Sequence, residues 1–356
     1  MNERRTPRRS AASPVIALVS ALAVTGLASP AAAPAQVPKT NRDAPLRIAS
    51  TAFDARVEIE VRDLPRPEAE EAIRAAVEAM VEVERLADPA RDGDRGLGHL
   101  NDAAGKKPVP VDPLLLRLLA RARDFCIWSR GAHGPVGGKL YELWGLHQPA
   151  DGRPPDSALG EARRSSDCGG LGLEAASGRA RLAKGSRLEL RGFAAGFAVD
   201  RAVETLKERG VRNAWVQLGN HRFGLGAGPL GRGWKARLPT LDDPSLPDRE
   251  VFLKDQALSI RRYDEDPFVI GGDRYPSLVD QRTGQPPEGI ESVTVLTDLA
   301  VDAQALAGAL MILGNREGHM RLGGLRPKPA VLWLLGDGTG TPVVATYQWS
   351  QLKAVQ

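Results

Sequence analysis

The alternation of apolar and polar side chains predicts a series of short strands along this chain. Residues 55–61 change between apolar and polar at every position, which is the two-residue period of a half-buried strand. The same pattern and short apolar runs predict further strands at 187–190, 214–218, within 222–262, at 291–296 and at 330–335.

Apolar residues at helical spacing predict four helices. They recur every three or four positions in residues 67–86 and 113–128, and small residues follow the same period in 301–313. A Gly-rich segment opens the fourth helix at Gly192, and that helix runs to about Arg209.

Two stretches, 88–98 and 131–160, are rich in Gly, Asp or Pro and are expected to be loops. The second has no more than a turn or two, near 140–144. Strands and helices therefore mix without strict βαβ alternation. This order favours an α+β fold with a largely antiparallel sheet.

The first 35 residues have the composition of a secretory signal peptide. Four arginines within 4–9 precede an apolar stretch at 15–27, and small residues at 31–35 offer cleavage sites. The apolar stretch is shorter than the ~20 residues that a membrane span needs. We expect export to the periplasm or the extracellular space, by the Sec or the twin-arginine route, with a linker at 36–47 and one domain at 48–356.

The net charge gives no reason to expect a nucleic acid partner. The whole chain carries +4, and removing residues 1–35 leaves 44 basic and 43 acidic side chains. A protein that binds nucleic acid through phosphates needs a basic excess.

The chain has two cysteines, Cys126 and Cys168. An oxidising compartment would permit a disulfide between them. The helical apolar pattern around Cys126 favours a buried thiol instead. The sequence leaves both alternatives open.

Four separated segments carry a resemblance to a known family. Their order along the chain is the family's order, and together they span residues 48 to about 350. The segments are LNDAAG at 100–105, GAHGP at 131–135 with LWG at 143–145, LELRGFAAGFAVD at 188–200, and DQRTGQP at 280–286 with SVTV at 292–295. The chain thus resembles the FAD:protein FMN transferase (ApbE) family.

The resemblance implies a fold and an activity. The fold would be a single α+β, T-fold-like domain with largely antiparallel sheets flanked by helices. The activity would move FMN from FAD to a Ser or Thr hydroxyl of an exported flavoprotein and release AMP. FAD would be the substrate, the flavoprotein the partner and Mg²⁺ the cofactor, since oxygen ligands hold Mg²⁺ beside phosphates.

The resemblance also places the metal site, and the chain departs from the family there. The aligned positions are the backbone at Gly192 and the side chains of Gln304 and Gly308, where the family has Asp and Thr. The substitutions remove one negative charge and one hydroxyl. Asp302 lies about 200° around the helix from Gln304, so we interpret it as an N-cap or first-turn acid.

Seven positions align with cofactor-binding residues of the family. Some depart from its pattern: Ala195 replaces Lys, Glu189 replaces Asp, and His133-Gly134 replaces Phe-Asp. The turn at 282–284 either lies beside the nucleotide or is a structural reversal. The seven positions are His133, Gly134, Glu189, Ala195, Leu278, Arg282 and Thr283.

Further departures surround these motifs, and they leave the activity open. Gln281 replaces Pro, Ser277 replaces His, residues 259–261 replace a Thr-Ser-Gly turn, and Asn220-His221 replace a Gly-Gly or Gly-Asp ending. Either the chain is a transferase with a weakened Mg²⁺ site, or it is an inactive flavin-binding or regulatory relative. A third alternative is an exported structural protein with a closed pocket.

Other polar residues have simpler interpretations. Asp200 and Arg201 are expected to form an ion pair within their helix. The five histidines lack the local spacing of a zinc site. His133 and His221 fall in predicted site loops, where they are candidates for a replacement metal or phosphate contact. Gly192 and Gly196 would let backbone approach a phosphate at a helix start.

Overall fold

Eight strands form one antiparallel sheet in the computed structural model, which describes residues 45–91, 93–146, 150, 152–238, 250–336 and 342–349. Four of the predicted strands, at 55–61, 214–218, 291–296 and 330–335, are confirmed within it. In hydrogen-bonded order the strands are β1 (Leu46–Ala52), β2 (Ala55–Val61), β6 (Ala214–Leu218), β7 (His221–Leu225), β10 (Gln256–Arg262), β13 (Ile290–Thr297), β14 (Ala330–Leu335) and β15 (Val343–Tyr347).

Smaller antiparallel sheets account for the other described strands. One sheet joins β3 (Val109–Pro110), β5 (Arg179–Leu182) and β4 (Leu171–Glu174), in that order. The other two are hairpins, β8 (Trp234–Arg237) with β9 (Glu250–Leu253), and β11 (Phe268–Ile270) with β12 (Asp273–Tyr275).

Seven α-helices and a 3₁₀ turn occur in the described ranges. The antiparallel sheets and these helices confirm the α+β class. The helices are α1 (Arg66–Ala87), α2 (Leu97–Asp102), α3 (Pro113–Trp128), α4 (Gly138–Leu143), α5 (Asp156–Arg164), α6 (Ala194–Glu208) and α7 (Ala300–Leu322), and the 3₁₀ turn is Cys168–Gly170.

The main core lies between the large sheet and helices α1, α6 and α7. Val57 and Ile59 of β2 lie in this core together with Ile73 and Met80 of α1, and all four side chains are completely buried. Each such side chain stabilises the fold by about 1.5–3 kcal/mol relative to exposure. The core therefore fixes α6 and α7 against the sheet, and both helices border the cleft described below.

A buried carboxylate ties the start of α7 to α6. Asp200 accepts hydrogen bonds from the backbone N–H groups of Ala300 (2.7 Å) and Val301 (2.9 Å). Burial raises the pKa of Asp200 to about 7, and these two donors oppose the shift. The predicted ion pair with Arg201 is wrong, because Arg201 pairs with Glu204 instead.

Asp302 lies in the first turn of α7, as expected, and pairs with Arg121 of α3. The aspartate is thus engaged away from the positions aligned with the metal site. It ties α3 to the start of α7.

The strand predicted at 187–190 does not form. The side chain of Asn101 takes the place of a neighbouring strand: its Oδ1 accepts from Leu188 N–H (2.7 Å) and its Nδ2 donates to Leu188 C=O (3.2 Å). Glu189 N–H donates to Pro135 C=O (2.8 Å). A turn at 191–193 follows, so the helix begins at Ala194 rather than Gly192.

Other boundaries also differ from the sequence-based expectation. Helix α4 matches the turn or two expected near 140–144, whereas the start of α5 lies in the part of 131–160 that was expected to be loop. Strand β1 begins at Leu46, inside the predicted linker. The predicted signal peptide lies outside the described residues, and no helix in the described ranges is long and apolar enough to span a membrane.

Cys126 and Cys168 form a disulfide, which overturns the preference for a buried thiol. The bond joins the C-terminal half of α3 to the 3₁₀ turn. It also lies against the loop of residues 131–135, because a Cβ at Gly134 would meet the Cys126 Sγ at 2.3 Å. The helical pattern around Cys126 could not reveal this partner 42 residues away.

Replacing both cysteines with alanine is expected to lower the free energy of unfolding by about 2–4 kcal/mol, because the open chain gains more conformational entropy on unfolding. Urea unfolding with and without a thiol reductant measures this loss. The wild type should lose the same amount on reduction, and the double variant should not respond. A wild-type urea midpoint that stays the same with and without the reductant would contradict the disulfide.

Candidate functional site

A cleft of about 410 Å³ opens where α6 begins. Its walls come from the β1–β2 turn, the end of α1, the segment before α6, the β6–β7 turn and the end of β10. Two further cavities adjoin it, one of about 510 Å³ and one of about 20 Å³. Arg191 lines all three, so this residue marks the centre of the site.

The smallest cavity brings together the three positions that align with the family's metal site. Gly192, Gln304 and Gly308 all line it, although more than 100 residues separate the first from the others. Helix α7 can approach α6 closely because Gly196 has no side chain: a Cβ there would meet Ala300 O at 2.4 Å. The three positions therefore lie together, and their role in holding a metal stays a prediction.

The Gln304 side chain bonds both to the first turn of α6 and to the turn that precedes it. Its Oε1 accepts a hydrogen bond from Gly196 N–H (2.7 Å), and its Nε2 donates to Arg191 C=O (2.9 Å). A carboxylate in this place would face the Arg191 carbonyl oxygen without a proton to offer, and a cation between them would relieve the repulsion. The amide carries its own donor, so it satisfies both backbone groups without a cation.

His133 fills the space beside the two glycines. A Cβ at Gly192 would lie 2.6 Å from the His133 Nε2, and a Cβ at Gly308 would lie 3.0 Å from the same atom. The ring is buried and stacks on Phe193 with 4.8 Å between centroids. Imidazole therefore contacts two of the three positions aligned with the metal site.

These donors do not fit a hard divalent cation. Mg²⁺ requires oxygen ligands, usually including carboxylates. Gln304 offers one neutral oxygen, which already accepts from Gly196, and the side chain of Gly308 offers none. Among the residues that the structure describes, no group of three His, Cys, Asp or Glu side chains could hold a metal ion.

Arg261 provides a positive charge at the junction of the 410 Å³ cleft and the 20 Å³ cavity. Burial, and then the charge of Arg261, lowers the pKa of His133 to about 4 and that of His221 to about 3. The Gly192 backbone opposes the shift at His133, although neither ring nitrogen makes a hydrogen bond of ordinary geometry within the described ranges. Both imidazoles are therefore neutral near pH 7.

Carboxylates of the β1–β2 turn and of the end of α1 also line the cleft. Burial, and then the nearby charges of Asp54 and Asp88, raises the pKa of Glu84, while a hydrogen bond from the Phe53 backbone opposes this. Phe53 and Asp54 form the β1–β2 turn with φ of 53° and 55°, a left-handed conformation that favours glycine. The cleft thus combines Arg191 and Arg261 with several carboxylates, and one of them, Glu265, lies 3.7 Å from the Arg261 guanidinium.

The other predicted cofactor-binding residues divide into two groups. Glu189 and Ala195 line the 410 Å³ cleft, and Leu278 lines the 20 Å³ cavity. Gly134 lies behind them, against the disulfide, and its carbonyl accepts from Gln281 Nε2 (2.7 Å).

Arg282 and Thr283 lie in a hydrogen-bonded turn and are not among the residues that line the three cavities. The Arg282 guanidinium is bound by Asp280 and Glu317. A cofactor-binding role for these two residues stays a prediction.

The sequence-based search did not select Arg191 or Arg261 as site residues. Arg191 occupies the variable position of the LELRG segment, where a motif carries no information. Arg261 offered a signal, since it follows Ala257 and Ser259 on one face of a strand that is otherwise buried. A charged residue at such a position indicates a polar cavity.

Gln304→Glu is expected to lower the free energy of unfolding by about 1–3 kcal/mol at neutral pH in EDTA, because the Arg191 carbonyl loses its buried donor. Urea unfolding measures the loss. Gln217→Glu is the matched control, since Gln217 also donates to a backbone carbonyl (Gly219, 3.1 Å) but is only half-buried. A Gln304→Glu protein as stable as the wild type would contradict the bonding described here.

The low pKa of His133 predicts a loss of stability in acid. The pKa rises from about 4 in the folded protein toward 6.5 in the unfolded chain, so only the unfolded chain gains a proton between these values. Stability should therefore fall as pH drops through this window, by about 3 kcal/mol for this group.

His133→Leu should remove that part of the pH dependence, because it keeps an apolar side chain of similar size in the site. Urea unfolding of both proteins at a series of pH values tests this. Equal slopes of stability against pH in the two proteins would contradict the assignment.

Comparison with known proteins identifies the family. The model of the ApbE family matches residues 53–332. The FAD:protein FMN transferase of Treponema pallidum is 32% identical over 268 residues, which cover 70% of this chain and 74% of that protein. The FAD:protein FMN transferase of Rhodobacter capsulatus is 27% identical over 315 residues, which cover 85% of this chain and 58% of that protein.

Two crystal structures share the fold. The ApbE protein of Thermotoga maritima superposes with a TM-score of 0.74 at 24% identity, covering 87% of this chain and 99% of its own. The apo form of the flavinyl transferase ApbE from Pseudomonas stutzeri gives a TM-score of 0.76 at 23% identity, covering 88% and 98%. The family model matches most of the chain, and the motif segments of the family border its cleft. The chain therefore belongs to the ApbE family.

Proposed function

We propose that this chain moves FMN from FAD to a Ser or Thr hydroxyl of a partner flavoprotein and releases AMP. One observation carries the proposal: segments 188–200 and 301–313, remote in sequence, border one cleft and its small cavity. The names of the Treponema and Rhodobacter relatives support the same activity.

The reaction forms one phosphoester bond and breaks the diphosphate bond of FAD. The acceptor hydroxyl oxygen attacks the phosphorus of the FMN half, AMP departs with the bridging oxygen, and the hydroxyl proton is lost. A protein that catalyses this step must hold the diphosphate, align the hydroxyl and neutralise negative charge. Arg191 and Arg261 are placed in the cleft to supply positive charge.

The cleft and its neighbour offer room for a dinucleotide. Ligand pockets usually measure about 300–1,000 Å³, and the two openings of about 410 and 510 Å³ share Phe53, Asp54, Arg191 and Asp266. Trp144 and Phe268 line the larger opening. We assign this aromatic wall to one of the two ring systems of FAD.

A second candidate function is flavin binding without transfer. The donor set at Gly192, Gln304 and Gly308 favours it, because it offers no carboxylate for the Mg²⁺ that the family resemblance implies. Such a protein would hold FAD in the same cleft and leave the diphosphate intact.

We propose that the protein acts after export, where its acceptor would also be found. The composition of residues 1–35 supports this. The Cys126–Cys168 disulfide supports it independently, because disulfides persist mainly in oxidising compartments.

An assay with FAD and a Ser- or Thr-containing flavoprotein domain tests the transfer, with Mg²⁺ and with EDTA. Chromatography measures AMP, and in-gel fluorescence measures covalent flavin. Ala195→Phe should cut transfer at least ~10-fold by filling the cleft. Ala176→Phe, in the exposed turn between β4 and β5, is the matched control and should transfer normally.

The outcomes separate the candidates. AMP release together with labelled acceptor supports the transferase. Bound FAD without AMP supports the second candidate. A wild-type protein that neither binds nor cleaves FAD, in Mg²⁺ or in EDTA, would contradict both candidate functions.

A further inference from the structure

We infer that Arg261 builds a diphosphate-binding subsite that works without a divalent cation. The ligand is the diphosphate of a nucleotide such as ADP or FAD. The identity of the flavin nucleotide rests on the proposed function, whereas the diphosphate chemistry rests on the residues described next.

The strand register turns Arg261 toward the helices that border the site. Along β10, Ala257 belongs to the core under α6 and α7, while Leu258 and Ile260 pack into the cluster on the other face of the sheet. Ser259 and Arg261 therefore share the Ala257 face. On that face Ser259 Oγ lies 3.0 Å from His221 Nδ1, and both Arg261 and His221 line the 20 Å³ cavity.

The Arg261 guanidinium is held by one hydrogen bond and keeps further N–H donors without partners in the described part of the chain. Its Nη2 donates to Ser277 Oγ (2.6 Å), and Ser277 in turn donates to the Glu265 backbone carbonyl (3.0 Å). Its Nη1 lies 3.7 Å from the Glu265 carboxylate, which exceeds a hydrogen bond. The buried Nε has no hydrogen-bond partner in the described ranges. Of five N–H donors, several remain for an anion.

The small cavity beside Arg261 favours an anion over a cation. Its lining contains Arg191 and Arg261 and no carboxylate among the described residues. The main cleft does have carboxylates, including Glu265 and Asp266 near Arg261, so an anion would approach Arg261 from the side of the small cavity. The small cavity has room for about one water molecule, so the diphosphate would lie at its mouth, in the 410 Å³ cleft.

The charge balance explains how an arginine serves in place of a metal. A dication held by one carboxylate contributes one net positive charge. Neutral Gln304 together with Arg261 also contributes one positive charge, although the Glu265 carboxylate lies 3.7 Å from the guanidinium and offsets part of it. A guanidinium also presents a planar fork that matches two phosphate oxygens. Arg261 can therefore bind phosphate where the amide of Gln304 replaces a metal ligand.

Isothermal titration of the full chain with ADP and with FAD tests this subsite, in EDTA and in Mg²⁺. The wild type should bind both nucleotides in EDTA, with affinities within about twofold of those in Mg²⁺. Arg261→Ala should weaken binding by about 10–100-fold, as expected for charge-assisted hydrogen bonds. The affinity of Arg261→Lys should lie between those of the wild type and Arg261→Ala, because lysine keeps the positive charge but lacks the two-pronged guanidinium.

Arg262→Ala is the matched control. Arg262 neighbours Arg261 on the same strand, but its guanidinium pairs with the exposed Asp264 and does not line the cleft. This variant should bind ADP as the wild type does. Thermal unfolding without ligand identifies any variant that fails to fold, and in that event the EDTA result on the wild type decides.

Two results would overturn the inference: binding of ADP only when Mg²⁺ is present, or unweakened binding by folded Arg261→Ala. A different result bears on the proposed function alone. If ADP binds in EDTA but FAD does not bind and no FMN is transferred, the diphosphate subsite stands and the transferase proposal fails.

Discussion

The side chain of Gln304 links the two helices on which the site is built. Its amide accepts from Gly196 at the start of α6 and donates to the Arg191 carbonyl in the preceding turn, all from a position on α7. Asp200 fastens the same helices one turn away, by accepting from the first N–H groups of α7. These buried contacts fix the cleft beside Arg191. The Gln304 bonds also occupy one lone pair each of its own Oε1 and of the Arg191 carbonyl oxygen.

Positions that depart from the family's pattern contact one another. Several of the new residues hydrogen-bond to one another or fill space that a glycine leaves open, although both ring nitrogens of His133 and the Oε1 of Gln281 have no hydrogen-bond partner in the described ranges. The contacts are Arg261 with Ser277, His221 with Ser259, Gln281 with the Gly134 carbonyl, and His133 with Gly308.

The sequence predicted most of the framework, because apolar periodicity reports burial. It located α1, α3 and the central strands, and the family's motifs led to the cleft. It failed where long-range contacts decide the structure: Asn101 replaces a strand partner for Leu188, and Cys168 lies far from Cys126 in sequence. It also missed Arg261, since motif matching records the loss of a metal ligand but not a cation gained on another strand.

A crystal structure of the chain with FAD and Mn²⁺, with anomalous diffraction measured at the manganese edge, tests this account most directly. We expect the diphosphate within hydrogen-bond distance of the Arg261 guanidinium. We also expect the Gln304 amide to stay bonded to Gly196 and Arg191, with no anomalous peak beside it. A manganese ion bound at about 2.2 Å from Gln304 Oε1, with Arg261 turned away from the phosphates, would contradict it.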